Sequence, residues 1–69
     1  MSWDVIKGNW KQAKGSAREM WGDLTDDEIE ETRGEREQFI GLVQEKYGKA
    51  RAEAEAEVRE WEAKLKSAA

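Results

Sequence analysis

A tryptophan-rich apolar stripe at helical spacing runs through the first third of the chain. Its members recur at alternating steps of three and four residues: Trp3, Ile6, Trp10, Ala13, Ala17, Met20 and Leu24. This spacing puts all of them on one face of an α-helix, whereas a strand would alternate with a period of two. A chain of 69 residues can bury such a face only within one small domain. The stripe therefore predicts a helical fold with a core built on tryptophan.

Residues that start and stop helices flank this stripe and divide it from the next segment. Ser2 is a suitable N-cap for the first helix. Gly22 is a suitable closing residue, because glycine tolerates the left-handed conformation found after many helices. The sequence TDDE then fits a capping box, in which Thr25 and Glu28 each satisfy a backbone N–H of the other. The sequence thus predicts a second helix that starts just after Thr25.

Three helices are predicted after the first one. The second is short, runs to about Arg33 and uses Ile29 as its apolar anchor. The third is closed by Gly48 and carries the apolar residues Phe39, Ile40, Leu42, Val43 and Tyr47. The fourth starts near Lys49 and presents Ala50, Ala54, Val58, Trp61 and Leu65. Its outer face offers i,i+4 ion pairs between Arg51 and Glu55, Glu60 and Lys64, and Glu62 and Lys66.

The glycines indicate an approximate internal duplication. A shift of 26 residues carries Gly34, Gly41 and Gly48 onto Gly8, Gly15 and Gly22. We interpret the repeat as two α-hairpins packed through the tryptophan face, although two amphipathic helices can also resemble each other by chance. The prediction is an all-α fold, a small four-helix bundle of two α-hairpins. One domain covers residues 1–66, and residues 67–69 form a frayed tail.

Gly8 and Gly15 are unfavourable inside a helix, at roughly 1 kcal/mol each relative to alanine. They share a face opposite the apolar stripe. Either this face is exposed and the glycines only lower helix stability, or a backbone or partner approaches closely there; we favour the first interpretation. Gly34 is expected to end the second helix rather than interrupt the third.

Composition narrows the classes of function. Charged residues make up 41% of the chain and the net charge is −4, a balance that leans towards disorder, but four tryptophans favour a folded core. Cysteine, histidine and proline are absent, which excludes disulfides and the usual zinc ligands. Nucleophile–base pairs built on histidine or cysteine are excluded as well, so we expect no enzyme and no cofactor. The acidic run DLTDDEIEE lacks EF-hand spacing, so no metal site is expected.

A basic stripe is the candidate binding surface, formed by Lys7, Lys11, Lys14 and Arg18. It could hold nucleic acid or another anionic surface, with Trp3 or Trp10 stacking. Alternatively it is a solvated flank whose charges meet the acidic later helices, and we favour this interpretation. Nucleic acid and membrane are therefore not expected as partners, a protein partner stays open, and a monomer is expected. No segment resembles a signal peptide or a membrane span, which favours the cytoplasm.

Four segments together form a specific signature: KGNWKQAKG, WGDLTDD, GEREQFIGLVQEKYG and AEVREWE. On these segments the chain resembles the CsbD-like family of small bacterial stress-response proteins over essentially its whole length. The residues that stand where the family has them include the expected structural residues Trp10, Trp21, Gly22, Thr25, Tyr47, Gly48 and Trp61. Trp3 joins them as an expected core residue. Phe39, where leucine is usual, and an alanine-rich final helix are mild departures.

The resemblance implies a fold and a broad role. The fold it implies is a four-helix bundle of two roughly orthogonal hairpins, similar to a SAM-like arrangement. The role it implies is in general stress, osmotic and stationary-phase responses, and some members are grouped with the very hydrophilic hydrophilins. No catalytic or ligand-binding residues are established for the family. The leading hypothesis is a non-enzymatic, hydrophilin-like protectant; the alternative is a binding module that uses the basic stripe or the glycine face.

Overall fold

Five α-helices make up the fold in the computed structural model, which describes residues 3–68. They are α1 (Trp3–Gly8), α2 (Trp10–Met20), α3 (Asp26–Glu31), α4 (Arg36–Tyr47) and α5 (Arg51–Ala68). Residues 3–68 contain no strand, which confirms the all-α class. The proposed N-cap Ser2 lies outside the described residues. Ser67 and Ala68 belong to α5, and fraying of the end of the chain stays a prediction.

The first predicted helix is divided in two at Asn9. The backbone of Asn9, at φ −119° and ψ 41°, leaves the helical region. Its N–H donates to the carbonyl of Ile6 in a tight turn, with N and O 3.1 Å apart. Because Gly8 and Asn9 are both poor helix formers, interrupting the helix at this point costs little free energy. It separates α1 from α2, and α1 buries Trp3 and Ile6.

Gly22 directly follows the C-cap of this segment, as predicted, but the expected left-handed conformation at Gly22 is wrong. The positive-φ glycines among the described residues are Gly34 and Gly48. Helix α2 ends at Met20, and the backbone of its C-cap, Trp21, turns to φ −121° and ψ 83° while the Trp21 N–H still donates to the carbonyl of Ala17. The Trp21 side chain is buried, so the backbone leaves the helix as this ring enters the core, and Gly22 is exposed.

The predicted helix boundaries at Thr25, Gly34 and Gly48 are confirmed. The Glu28 N–H donates to Thr25 Oγ1 at 3.2 Å and the Thr25 N–H donates to Glu28 Oε1 at 3.0 Å, which completes the capping box. Gly48 closes α4 in the left-handed conformation, at φ 63° and ψ 36°. Gly34, at φ 71°, lies between α3 and α4 as expected. A Cβ there would lie 2.6 Å from Lys7 Cγ, because the Lys7 stem covers this glycine.

The glycine repeat is not matched by a repeat of the backbone. Gly15 and Gly41 both lie exposed within helices. Gly34 and Gly48 have positive φ, however, whereas their counterparts Gly8 and Gly22 do not. With α1 and α2 separate, the chain has five helices in its described part, and the arrangement as four helices in two hairpins is not confirmed.

The core lies between α5 and the helices that it contacts, chiefly α4 and α2, while α3 connects α2 with α4. Its buried side chains come from every helix and from the α2–α3 connection: Trp3, Ile6, Ala13, Ala17, Trp21, Leu24, Ile29, Phe39, Ile40, Val43, Ala54, Val58 and Trp61. Each large one contributes about 1.5–3 kcal/mol on burial. Ala50 was expected on the buried stripe but is exposed, because α5 begins only at Arg51. Trp10 is half-buried at the edge of the core.

Candidate functional site

Four aromatic rings form one cluster at the centre of the core. Phe39 of α4 stacks on Trp61 of α5, with ring centroids 5.2 Å apart and planes only 5° from parallel. Trp3 and Trp21 pack against Phe39 at centroid distances of 5.6 and 5.2 Å, tilted by 53° and 63°. Both also contact Trp61, at 5.7 Å. Aromatic pairs in such geometries add about 0.5–1.5 kcal/mol beyond area burial, so this cluster joins the two ends of the chain.

Each of the four indole N–H groups has a polar acceptor. Trp3 Nε1 donates to Glu62 Oε2 at 2.7 Å and Trp21 Nε1 donates to Glu57 Oε1 at 2.9 Å. Trp10 Nε1 donates to Glu30 Oε1 at 3.0 Å, and Trp61 Nε1 donates to Ser16 Oγ at 3.2 Å. Hydrogen bonds to an ionised acceptor are stronger than neutral ones, so three tryptophans are held by carboxylates as well as by apolar packing.

The same three carboxylates each bind a cation. Arg36 Nε donates to Glu62 Oε2 at 3.1 Å, Lys49 pairs with Glu57, and Lys14 Nζ lies 2.5 Å from Glu30 Oε1. The structure therefore repeats one arrangement three times, an indole N–H and a cation that share one glutamate. The indole–glutamate separations are 59, 36 and 20 residues. No local sequence pattern spans such separations, so sequence reasoning missed all three indole–glutamate contacts.

Contacts around Glu57 and Glu30 shift the pKa values of these carboxylates. The hydrogen bond from Lys49, followed by that from Trp21, lowers the pKa of Glu57 below its ordinary value. Lys14, followed by Trp10, likewise lowers the pKa of Glu30. In turn, the hydrogen bond to Glu57 raises the pKa of Lys49. The charged forms of Glu57 and Glu30 are therefore favoured in the folded protein.

The basic stripe is largely paired within the chain. Lys7 Nζ lies 3.4 Å from Glu35 Oε1, and Arg18 Nη1 lies 3.5 Å from Asp26 Oδ1. Lys14 is paired with Glu30, as described above. Lys11 is exposed and makes no ion pair or hydrogen bond within residues 3–68. The acidic partners of the other three lie in α3 and in the connection that follows it.

Tyr47 and Thr25 support the neighbouring connection. The Asp23 backbone N–H donates to Tyr47 Oη at 3.1 Å, which ties the α2–α3 connection to the end of α4. Lys46 Nζ reaches Glu28 Oε2 at 3.1 Å and links α4 to the Thr25 capping box. The backbone N–H of Thr25 is the first cause, and Lys46 the second, of the lowered pKa of Glu28. These contacts are structural, since each joins two elements of the fold.

Comparison with known proteins identifies the family. The family model described as CsbD-like matches residues 4–56. This chain belongs to the CsbD-like family. A UPF0337 protein of Pectobacterium atrosepticum is 50% identical over 62 residues, which cover 90% of each chain. A UPF0337 protein of Pseudomonas aeruginosa is 48% identical over 65 residues, covering 94% of this chain and 100% of the relative. UPF0337 protein YjbJ of Escherichia coli is 48% identical over 62 residues, 90% of each chain. No solved structure matches.

Membership confirms the resemblance and places the chain in a family associated with general stress responses, one not known as an enzyme family. The matched range of the CsbD-like model includes Trp10, Trp21 and Phe39, whereas Trp3 and Trp61 lie outside it. Two of the four clustered rings in this CsbD-like protein therefore come from beyond the matched segment.

Neither a metal site nor a membrane-spanning helix is present among residues 3–68. Residues 3–68 hold no group of three or more acidic, histidine or cysteine side chains placed to bind a metal ion. In the same range, no helix has both the length and the apolar character needed to span a membrane. The glycine face is open, because a Cβ at Gly8, Gly15 or Gly41 would meet nothing within 4 Å. These glycines are therefore not required by packing within the chain.

Proposed function

We propose that this CsbD-like protein is a non-enzymatic cytoplasmic protectant that acts under osmotic or stationary-phase stress. Its charged, strongly hydrated surface keeps other proteins apart as water becomes scarce. The observation that carries this proposal is the division between core and surface. Among residues 3–67, Val5 is the one exposed large apolar side chain, while charged residues make up 41% of the chain.

A surface of this kind suits a protectant for a physical reason. Large exposed apolar patches promote association between proteins, whereas charges of both signs on a surface oppose it. The net charge of −4 adds repulsion between copies, so the protein can accumulate without aggregating. Its acidic and basic groups retain water around any protein that lies between the copies.

The residue types of this chain do not support a catalytic function. The chain has no histidine or cysteine, and the carboxylates with lowered pKa are engaged by tryptophan, lysine or backbone donors. Groups that act as general acids near neutral pH need their pKa raised instead. The paired basic stripe also weakens the case for nucleic acid, because a phosphate backbone would have to displace Glu35, Glu30 and Asp26.

A drying and freezing assay tests the proposal. A labile enzyme is dried or frozen with this protein, with an equal mass of serum albumin, or with a charge-thinned variant. That variant changes Lys11, Lys64, Glu45 and Glu60 to glutamine; it retains the net charge and breaks none of the ion pairs in the described part of the chain. The proposal predicts most enzyme activity recovered with the wild type, less with the variant and least with albumin. Recovery with the wild type no better than with albumin would refute it.

A further inference from the structure

The short helix α1 docks onto the core through two buried side chains. It has six residues, of which Trp3 and Ile6 are buried. Lys7 adds an exposed ion pair with Glu35. A helix this short has no stability of its own in water, so α1 stays folded only while its two apolar side chains remain docked.

A short connection with little side-chain packing follows α1. The Asn9 side chain makes no capping hydrogen bond to α2, and its backbone is already outside the helical region. Gly8 is exposed, with no atom within 4 Å of the place where a Cβ would stand. Rotation of the backbone at Gly8 and Asn9 would therefore disturb no side-chain packing at these two positions. This connection can serve as a hinge for α1.

A ready-made aromatic site lies beneath Trp3. Its indole contacts Phe39 and Trp61 at centroid distances of 5.6 and 5.7 Å. Glu62 Oε2 accepts the indole N–H at 2.7 Å. Arg36 binds the same carboxylate independently of α1, and Phe39 and Trp61 are stacked on each other. The departure of Trp3 would thus leave a formed site, with two ring surfaces and one hydrogen-bond acceptor.

We propose that α1 is a releasable strap, and that the site beneath Trp3 binds an aromatic side chain of an unfolding protein. This inference rests on the proposed protectant function and supplies it with a contact point. Trp3 itself shows which chemistry the site accepts, a flat apolar ring with an N–H donor at its edge. Tryptophan is therefore preferred over phenylalanine, since phenylalanine would leave the Glu62 carboxylate without its second donor.

The wild-type protein allows a direct test by 19F NMR after labelling with 5-fluorotryptophan. The probe is reduced and alkylated α-lactalbumin, which is permanently unfolded and carries no fluorine. Addition of the probe should move the Trp3 resonance to its solvent-exposed position and leave that of Trp10 unchanged. An unchanged Trp3 resonance would overturn the proposal. So would a change that follows the concentration of the labelled protein alone, because that identifies a second copy as the occupant.

Two variants provide a matched comparison. Trp3→Ala empties the site, whereas Trp10→Ala removes an indole that also donates to a glutamate but lies outside the ring cluster. The open fraction of a site scales its apparent affinity, so Trp3→Ala should bind the unfolded probe about tenfold more tightly than wild type. Trp10→Ala should bind like wild type. Equal affinities for the two variants would overturn the proposal, while recovery in the drying assay decides separately whether the protein is a protectant.

Discussion

Phe39 and Trp61 stack nearly parallel at a centroid distance of 5.2 Å, and this contact joins α4 to α5 at the centre of the molecule. Trp3 and Trp21 pack around the stacked pair. The rings come from residues as far apart as 3 and 61, so the cluster holds the two ends of the chain together. Its stability depends on the aromatic character of Phe39 as well as on the volume of its ring.

Replacement of Phe39 by leucine tests that dependence. Phe39→Leu retains an apolar side chain but loses the stack and both tilted ring contacts, so the free energy of unfolding should fall by about 1–2 kcal/mol. Urea denaturation followed by circular dichroism measures the change. Leu42→Met on the same helix changes a half-buried side chain outside the cluster and should alter stability by less than about 1 kcal/mol. Equal effects of the two substitutions would contradict the account.

Acid should destabilise the folded protein within a defined range of pH. The folded-state pKa of Glu57 is lowered chiefly by Lys49, and that of Glu30 chiefly by Lys14. Their contribution is therefore present above the ordinary value of 4.5 and is lost as pH falls through the folded-state pKa. Urea denaturation at a series of pH values should show stability retained down to about pH 4.5 and falling below it.

Glu57→Gln identifies the carboxylate responsible. This variant should be less stable than wild type at neutral pH, because Lys49 loses its charged partner. It should also lose less further stability on acidification. Glu60→Gln, an exposed change on the same helix with no ion pair, is the matched control and should retain the wild-type pH profile. An identical acid response in wild type and Glu57→Gln would show that the Lys49 and Trp21 contacts do not stabilise the fold.

Two glycine substitutions should have opposite effects. Gly41→Ala places a Cβ in open space within α4 and should raise the free energy of unfolding by about 0.5–1 kcal/mol. Gly34→Ala forces a side chain onto a left-handed backbone and against Lys7 Cγ, and should lower it by about 1–2 kcal/mol. Thermal denaturation distinguishes the two, and a stabilising Gly34→Ala would be inconsistent with the described backbone.

The capping box gives a local prediction. Thr25→Ala removes the oxygen that accepts the Glu28 N–H, so the free energy of unfolding should fall by about 0.5–2 kcal/mol. Thr25→Ser keeps a hydroxyl in the same place and should lose only a small part of that. Chemical denaturation of the two variants side by side provides the measurement. A loss of equal size in both would mean that the hydroxyl does not cap α3.

Local chemistry explains which parts of the fold the sequence could predict. The capping box at Thr25 and the closing glycine Gly48 depend on residues within one helical turn, and both were predicted correctly. Gly22 follows an aromatic residue just as Gly48 does, but the Trp21 ring enters the core before the glycine is reached. That outcome depends on Phe39 and Trp61, which lie far away in the chain, so the local pattern could not reveal it.

Contacts between residues distant in the chain also determine the candidate site, and local sequence patterns do not reveal them. The basic stripe is visible in the sequence because its members recur at helical spacing. Its acidic partners follow from how α3 packs beside α2, and no spacing rule connects Lys14 with Glu30. Glu62 was expected to pair with Lys66 at i,i+4, yet it binds Arg36 and Trp3. The expected pair of Arg51 with Glu55 is present, at 3.5 Å.

Hydrogen exchange of the indole N–H groups, followed in 15N-labelled protein at neutral pH, tests whether the tryptophans form one buried core. Trp21 and Trp61 are buried and their N–H groups donate to Glu57 and Ser16. Both N–H groups should exchange far more slowly than the N–H of half-buried Trp10. Four indole signals that all exchange at the rate of a free indole, together with amide signals collapsed into the random-coil range, would contradict this prediction.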